Sequence, residues 1–99
     1  MKTTIENITE MTLKEFADLH GLEMRVVERN LPVGDPDRFY AEFKSSEVKE
    51  GPVLVGTYGN GATPEEAIAA YKNELVVGTC LVIDAFKDTR KEIIVPRLK

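Results

Sequence analysis

Two single residues, an aspartate pair and a glycine-rich turn are the parts of this sequence whose residue types could do chemistry. His20 is the only histidine and Cys80 the only cysteine, so the chain cannot assemble a Cys/His zinc site or an internal disulfide. His20 precedes Gly21 at an expected helix end, where the helix dipole favours a cation. Cys80 lies in a β-branched run, which predicts a buried, unreactive thiol. Neither residue has the spacing of a catalytic triad, and we predict no enzymatic activity.

The aspartate pair is Asp35 and Asp37, in a loop rich in Gly and Pro. Two carboxylates in such a loop could touch a divalent cation, and this is the enzyme alternative. A turn in which an Asx side chain bonds its own backbone is more typical of the pattern. We therefore expect no metal and no cofactor.

The glycine-rich turn is Gly59-Asn60-Gly61, just before a helix start. Backbone N–H groups in such a turn can cradle a phosphate. Glu65 and Glu66 would occupy the first turn of the helix and repel an anion. The pattern favours a tight strand-to-helix turn.

Two tyrosines are candidates for binding. Tyr40 and Tyr58 are out of phase with the apolar residues assigned to the core, which places both on an outer sheet face beside Val27 or Arg25. Exposed aromatics can anchor a protein partner or stack on bases, and a homodimer or a second layer of C-terminal strands would bury them equally well. We predict that Tyr40, Tyr58 and Arg25 bind a protein partner or a second copy of the chain, with ordinary packing and base stacking as the alternatives.

The charge distribution bears on nucleic acid. Residues 1–84 contain 8 Lys/Arg and 15 Asp/Glu, a net of −7, whereas residues 85–99 contain 5 and 2, a net of +3. A nucleic-acid alternative would use Lys91, Arg97 and Lys99 to contact phosphates. Acidic residues interrupt this short segment, so a charged sheet edge that discourages strand addition is the preferred interpretation, and we expect no nucleic-acid partner.

Length and composition predict a loosely ordered leader over residues 1–11 and a single domain over residues 12–99. The chain has 99 residues and is 42% hydrophobic, enough for a core without disulfides or metal. It has no apolar run near the ~20 residues of a membrane span and no signal-peptide pattern at its N-terminus. We expect a soluble, cytoplasmic protein without a membrane partner.

Two capping patterns predict the helices. Thr12 with Glu15 begins a helix that runs from Leu13 to His20 or Gly21. Thr63 with Glu66 forms a second capping box, in which the Glu66 carboxylate reaches back to the Thr63 N–H. Pro64 follows at the first helical position. An apolar stripe then recurs along the second helix at Ala67, Tyr71 and Leu75.

Alternation of apolar and polar residues predicts the strands. We expect strands within Leu22–Asn30, at Phe39–Phe43 with Phe39, Ala41 and Phe43 inward, and at Val53–Tyr58, with Ser45–Pro52 as a turn or a longer hairpin tip. A strand over Cys80–Ala85 and an edge strand over Lys91–Val95 follow the second helix. The fold class is α+β, with an antiparallel sheet of three to five strands, a helix packed on one face, and an α-β-β-β-α order followed by a C-terminal β-β segment.

The run Gly59–Ile68 resembles the strand-to-helix junction of HicB-like antitoxins, in which a three-stranded meander precedes a helix with a similar Gly…Thr-Pro-Glu-Glu-Ala phrase. The resemblance covers about residues 38–75. It implies a non-catalytic protein that neutralises a small RNA-cleaving toxin. An acidic domain of this build also suits a phage or mobile-element accessory protein.

The helix, three-strand, helix order over residues 12–75 also resembles a double-stranded RNA-binding domain, and Leu13–Leu22 is similar to the first helix of that family. The family's second helix opens with a basic motif that grips phosphates. The matching positions here are Pro64–Ile68, which include two glutamates. The resemblance therefore implies a shared fold and carries over no RNA binding.

Overall fold

The structure, a computed structural model, describes residues 1–3 and 10–99. It is α+β, with two helices, antiparallel sheets of three and four strands, and a helix packed on a sheet, which confirms the predicted fold class. Along the described chain the elements are β1 (Glu10–Met11), α1 (Leu13–His20), β2 (Met24–Glu28), β3 (Phe39–Phe43), β4 (Ser46–Glu50), β5 (Val53–Val55), β6 (Gly59–Gly61), α2 (Pro64–Glu74), β7 (Cys80–Ile83), β8 (Lys91–Ile94) and β9 (Arg97–Leu98).

Helix α1 has the predicted caps. The Thr12 hydroxyl accepts from the Glu15 N–H, and the Glu15 carboxylate accepts from the Thr12 N–H, both at 3.1 Å. Gly21 ends the helix in the left-handed conformation at φ 65°. A glycine suits this position because a Cβ there would crowd the backbone.

Helix α2 begins where the sequence predicts, with one difference in its cap. The Thr63 hydroxyl accepts from the Glu66 N–H at 3.2 Å, and Pro64 opens the helix. The Glu66 carboxylate accepts from the Ala62 N–H at 3.0 Å rather than from the Thr63 N–H. The predicted capping box is therefore wrong in this one bond, because the carboxylate satisfies the donor one residue earlier.

One long, bent hairpin joins the two larger sheets. Its first arm contains β3 and β4, and its second arm contains β5 and β6. β3 pairs with β6 and β4 with β5, while β2 flanks β3 and the β7–β8 pair flanks β4. Between the paired regions, residues 42–47 oppose only residues 56–58. The hairpin diverges at this bulge, and each half completes its own sheet.

The bend reverses the side-chain phase of the first arm at Ser45, which has φ 60°. Ala41 and Phe43 are fully buried before the bend, and Val48 is buried after it. The left-handed residue thus keeps the apolar side chains of both halves on the core side. For Ser45–Pro52 the simple turn is wrong and the longer hairpin tip is confirmed, because the segment contains β4, which pairs with β5 across Gly51 and Pro52. The single buried residue of β4 gives too little apolar alternation to reveal a strand.

The predicted third strand, Val53–Tyr58, is also wrong in its extent and pairing. Val53–Val55 alone forms β5, at the edge of the four-stranded sheet. The strand beside β3 is Gly59–Gly61. Residue preferences for strands do not reveal β6, because close packing against α2 requires glycine at positions 59 and 61.

The C-terminal strands follow the prediction with shorter bounds. β7 ends at Ile83 because Asp84 has φ 53°, and β8 is the expected edge strand. β9 pairs in parallel with β1, which the sequence did not predict. Residues 4–9 of the expected leader lie outside the described residues, and Glu10–Met11 belongs to the ordered structure as β1.

The core lies between the sheets and the helices. The predicted stripe of Ala67, Tyr71 and Leu75 is buried, with at most 2% of each residue exposed. Phe43 contacts the rings of both Phe16 and Tyr71, with centroids at 6.1 and 5.4 Å, so this phenylalanine links the two helices. Among the described residues, no helix has the length and apolar character needed to cross a membrane.

Candidate functional site

The face of the β2–β3–β6 sheet opposite α2 brings the predicted tyrosines together. Tyr40 pairs with Val27 on one side and with Asn60 on the other, whereas Ala41 in the next row is fully buried. Tyr58 lies two residues before Asn60. We call this surface the tyrosine face, and it consists of Arg25, Val27, Arg29, Tyr40, Glu42, Tyr58 and Asn60.

The two tyrosines contact each other and share one arginine. Their ring centroids are 5.9 Å apart in an edge-on arrangement. The Arg29 guanidinium carbon lies 4.6 Å from the Tyr40 centroid and 5.9 Å from that of Tyr58. Tyr58 is 49% exposed. The cluster therefore presents aromatic surface and a cation to solvent.

Arg29 is fixed by two hydrogen bonds as well as by stacking. Its Nη1 donates to the Asp37 carbonyl oxygen and to the Asn60 side-chain oxygen, each at 2.7 Å. The sequence prediction did not include Arg29 or Asn60. Arg29 continues the period-2 spacing of Arg25 and Val27, so the alternation of β2 carried a signal for it. Asn60 gave no such signal because its glycine neighbours indicated a turn.

Arg25, the third predicted residue, lies at the border of the tyrosine face. Its Nη1 is 3.5 Å from Glu42 Oε1, and its side chain is 52% exposed. The face therefore has two arginines and one glutamate. It is less acidic than the rest of residues 1–84, where carboxylates outnumber cations.

The Asp35–Asp37 loop has the Asx turn that its sequence favoured. Asp35 Oδ1 accepts from the Asp37 N–H at 2.9 Å. Within the described ranges, 1–3 and 10–99, no three His, Cys, Asp or Glu side chains are grouped so as to hold a metal ion.

The remaining single residues have ordinary surroundings. His20 packs its ring edge-on against Phe16, with centroids 5.0 Å apart. Cys80 is only half-buried, which corrects the prediction of a buried thiol, because it lies on the outer face of β7 with its Sγ 3.5 Å from Glu92 Oε1. Desolvation and the bonded Glu92 carboxylate raise the pKa of Cys80. A raised pKa keeps the thiol protonated, which is its less reactive form.

The three cations of the nucleic-acid alternative are distributed over separate elements. Lys91 lies in β8 and donates to the His20 carbonyl oxygen at the end of α1. Arg97 lies in β9, 4.0 Å from Glu10 Oε1. Lys99 follows β9, and its backbone N–H donates to the Met11 carbonyl oxygen at 2.9 Å. They do not follow a single strand or helix.

Gly59-Asn60-Gly61, predicted as a tight turn, is strand β6, which packs directly on the backbone of α2. A Cβ at Gly59 would lie 2.5 Å from the Ala67 carbonyl oxygen, and one at Gly61 would meet the Ala67 nitrogen. The helix thus fills the space directly over these glycines. The Ala62 N–H beside them already donates to Glu66. The glycines serve strand–helix packing in this structure.

Compared with protein-family models, curated proteins and solved structures, the chain matches none. The HicB-like and double-stranded RNA-binding-domain-like resemblances therefore remain predictions from the sequence alone.

Proposed function

We propose that this chain is a small non-enzymatic protein-interaction or regulatory module and that the tyrosine face is its contact surface. The observation that carries the proposal is the cluster of an exposed Tyr58 with the half-buried Tyr40 and Arg29. Tyrosine and arginine are enriched among the residues that contribute most to protein–protein binding. They provide large contact area together with polar groups that can pair with a partner.

The cluster is already ordered without a partner. Arg29 is held by Asp37 and Asn60, and its guanidinium stacks on Tyr40. A partner would therefore immobilise few additional rotamers, which reduces the entropic cost of association. Preorganisation of this kind favours a specific partner over non-selective adhesion.

The charges on the tyrosine face suggest how a partner is oriented. Arg25 is paired with Glu42 at the border, while Arg29 lies between the tyrosines with further N–H donors. A partner that places a carboxylate or a backbone carbonyl over Arg29 gains a charge-assisted hydrogen bond. A second copy of the chain is a candidate for this partner, since it supplies carboxylates in excess.

As the biological setting we propose the HicB-like antitoxin role, with a phage or mobile-element accessory role as the related alternative. The support is the Gly59–Ile68 phrase and its position at a strand-to-helix junction. In this setting the partner is a small RNA-cleaving protein. The antitoxin role is a narrower proposal than the contact surface, and an experiment can exclude this role while the contact surface stands.

The test is site-specific photo-crosslinking in cells that express the protein. A photoreactive phenylalanine replaces Tyr58, and a matched control places it at Leu19, which is 67% exposed on α1. We expect one discrete adduct from position 58, either a second copy or another protein, and its loss when Arg29→Ala is added. Identical adducts at both positions, or none at position 58, would contradict the proposed surface.

Light scattering over a range of concentrations separates self-association from binding to another protein. The same sample mixed with short duplex RNA and DNA at low and moderate salt tests the nucleic-acid alternative. Duplex binding that weakens steeply with salt and depends on Lys91, Arg97 and Lys99 would overturn the proposal.

A further inference from the structure

Strand β2 has one side without a partner strand. It forms an edge of the three-stranded sheet, and within residues 1–3 and 10–99 no other strand pairs with its outer side. With five residues it is longer than the other edge strands of the two larger sheets, which have three or four. Its register with β3 is continuous and it contains no proline, so it lacks two features that commonly block an edge. β2 is therefore open to pairing with a further strand.

The backbone groups that point to this open side follow from the hydrogen bonds at the two ends of β2. Just before the strand, the Lys44 N–H donates to the Glu23 carbonyl oxygen at 2.8 Å. Just after it, the Arg29 N–H donates to the Arg38 carbonyl oxygen at 2.6 Å. Residues of an antiparallel strand alternate between bonding one neighbour and facing away from it, so the odd-numbered residues of β2 bond β3. The N–H and carbonyl groups that face the open side are those of Met24, Val26 and Glu28.

The apolar side of the sheet also ends uncovered at β2. Val26 lies directly opposite Ala41, on the sheet face that packs on α2. Ala41 is fully buried, whereas Val26 is 37% exposed. A further strand beside β2 would place a side chain about 5 Å from Val26 and continue this apolar row. The edge thus presents apolar surface together with hydrogen-bonding groups.

A groove of about 320 Å³ lies on the same sheet face and includes Met24 in its lining. Its two charged lining residues, Lys14 and Asp18, bond each other at 2.8 Å. A side chain that a further strand places beside Met24 therefore reaches a mainly apolar groove. In strand addition, backbone hydrogen bonds give affinity and pockets for alternate side chains give specificity. The other lining residues come from both helices, β3 and the chain before β2: Leu13, Ala17, Leu22, Phe43 and Ile68.

Arg25 indicates the charge of the partner. It lies between Met24 and Val26 on the opposite sheet face, its side chain is 52% exposed, and its contact with Glu42 is long, at 3.5 Å. Opposite charges on directly opposed residues stabilise neighbouring strands, whereas like charges destabilise them. A partner residue opposite Arg25 should therefore be acidic, and its two neighbours should be apolar. Arg25 is also the residue that this edge shares with the tyrosine face.

We propose that β2 binds an extended segment of a protein partner as an additional antiparallel strand, in which an acidic residue opposite Arg25 is flanked by apolar residues opposite Met24 and Val26. The segment bonds the N–H and carbonyl groups on the open side of β2, and its side chain beside Met24 reaches the groove. Antiparallel addition continues the pattern of β2, β3 and β6. The proposal concerns the edge of the sheet and does not rest on the cluster of tyrosines.

The test is an NMR titration of the isotope-labelled full chain with the peptide acetyl-Thr-Val-Val-Glu-Leu-Lys-amide. In the antiparallel register its glutamate lies opposite Arg25, its second valine opposite Val26 and its leucine opposite Met24. We expect saturable amide shifts along β2, with a dissociation constant on the order of millimolar, as expected for a short linear fragment. At saturation, hydrogen exchange should slow at the amides of residues 24, 26 and 28. The amides of residues 25 and 27 should be protected already in the free chain, because they bond β3.

Two N-methylated peptides distinguish strand addition from other binding. A methyl group on the nitrogen of the second valine removes the donor to the Val26 carbonyl oxygen and should weaken binding by about tenfold or more. A methyl group on the glutamate nitrogen, which faces away from β2, is the matched control and should have little effect. A peptide with lysine in place of the glutamate should bind more weakly, and Arg25→Glu in the protein should restore its binding.

Tyr58→Ala alters the tyrosine face and should leave peptide binding unchanged, so the two surfaces can be tested separately. No saturable shift along β2, equal affinities of the two N-methylated peptides, or a lysine peptide bound as tightly as the glutamate peptide would overturn the proposal. Slow exchange at residues 24, 26 and 28 in the free chain that is lost on dilution would also overturn it, and would identify a second copy of the chain as the occupant of the edge.

Discussion

Gly59 lies so close to the backbone of Tyr71 that a Cβ atom on the glycine would come under 3.0 Å from the Tyr71 amide nitrogen. The nearest atoms belong to the backbone of α2, which cannot rotate away as a side chain could. The sheet and the helix therefore meet at a position where only a hydrogen atom fits. This contact sets the depth at which Tyr71 enters the core.

Replacing Gly59 with Ala should destabilise the fold by about 3 kcal/mol, the upper end for overpacking, because α2 must move away from β6. Gly56→Ala is the matched control. A Cβ at Gly56 meets nothing within 4 Å, and its φ does not require glycine. Urea unfolding of both variants measures the free energies of unfolding. Equal stability of Gly59→Ala and Gly56→Ala would show that α2 does not approach β6 this closely.

Tyr71→Ala should lower the free energy of unfolding by about 3–5 kcal/mol, because it removes a fully buried aromatic side chain from between the sheets. Tyr71→Phe keeps the ring and loses the weak contacts of the hydroxyl, one to the Ser46 hydroxyl at 3.5 Å and one to the Phe43 backbone, so its cost should be about 1 kcal/mol. Chemical denaturation checks both values. A loss inside about 0.5 kcal/mol for Tyr71→Ala, which is typical of exposed positions, would contradict the burial of this residue.

The capping box of α1 should contribute to the pH dependence of stability. The Thr12 backbone bond, followed by the Thr12 hydroxyl, lowers the pKa of Glu15 in the folded state. A lowered folded-state pKa gives stability that is fully present above the unfolded pKa and is lost as the pH falls through the folded pKa. Thr12→Ala should cost about 1 kcal/mol at neutral pH. It should move the Glu15 pKa, followed by carboxyl NMR, only part of the way back towards its ordinary value, because the bond from the Thr12 N–H remains when the hydroxyl is lost. A Glu15 pKa at its ordinary value in the unmodified protein would show that the box does not form in solution.

Cys80 should react slowly with alkylating reagents at neutral pH. Desolvation raises the pKa of this thiol, and the nearby Glu92 carboxylate raises it further. The pH midpoint of alkylation should therefore lie above that of a small model thiol, and Glu92→Gln should shift it down. A midpoint at or below that of the model thiol would mean that the Cys80–Glu92 contact is absent.

The two helices could be predicted from the sequence because their signals are local. The bounds Leu13–His20 and the start of α2 after Thr63 follow from a side chain, a backbone donor and a glycine within one turn. The burial of Ala67, Tyr71 and Leu75 follows from their spacing alone. Such features depend on residues three or four apart, which a sequence displays directly.

The strands that the sequence prediction missed depend on contacts between distant residues. β4 is polar along most of its length and is a strand because β5 and β7 pair with it on either side. β6 contains two glycines and is a strand because α2 packs on it. β1 and β9 are too short for any alternation and exist only as a parallel pair.

The sequence predicted only part of the candidate surface, because the rest of it also depends on contacts between distant residues. The alternation of β3 placed Tyr40 on the outer face, but its contact with Arg29 also requires the Asp37 carbonyl and the Asn60 side chain. The contact between the bend at Ser45 and the loop at Asp84 could not be predicted from the sequence. It joins the start of β4 to the end of β7 through the Asp84 N–H and the Ser45 carbonyl oxygen.

Ser45→Gly should stabilise the protein by about 0.5–1 kcal/mol. Ser45 has φ 60°, where a side chain costs roughly 1–2 kcal/mol that glycine avoids, although glycine gains more freedom in the unfolded chain. Ser46→Gly is the neighbouring control and should destabilise, because the Ser46 hydroxyl donates to the Phe43 carbonyl oxygen at 2.6 Å and the residue lies in β4. Thermal and urea unfolding of both variants measure whether each substitution raises or lowers the free energy of unfolding. A destabilised Ser45→Gly would show that the long hairpin does not bend at this residue, and the phase reversal that places Phe43 and Val48 on the same side would then need another origin.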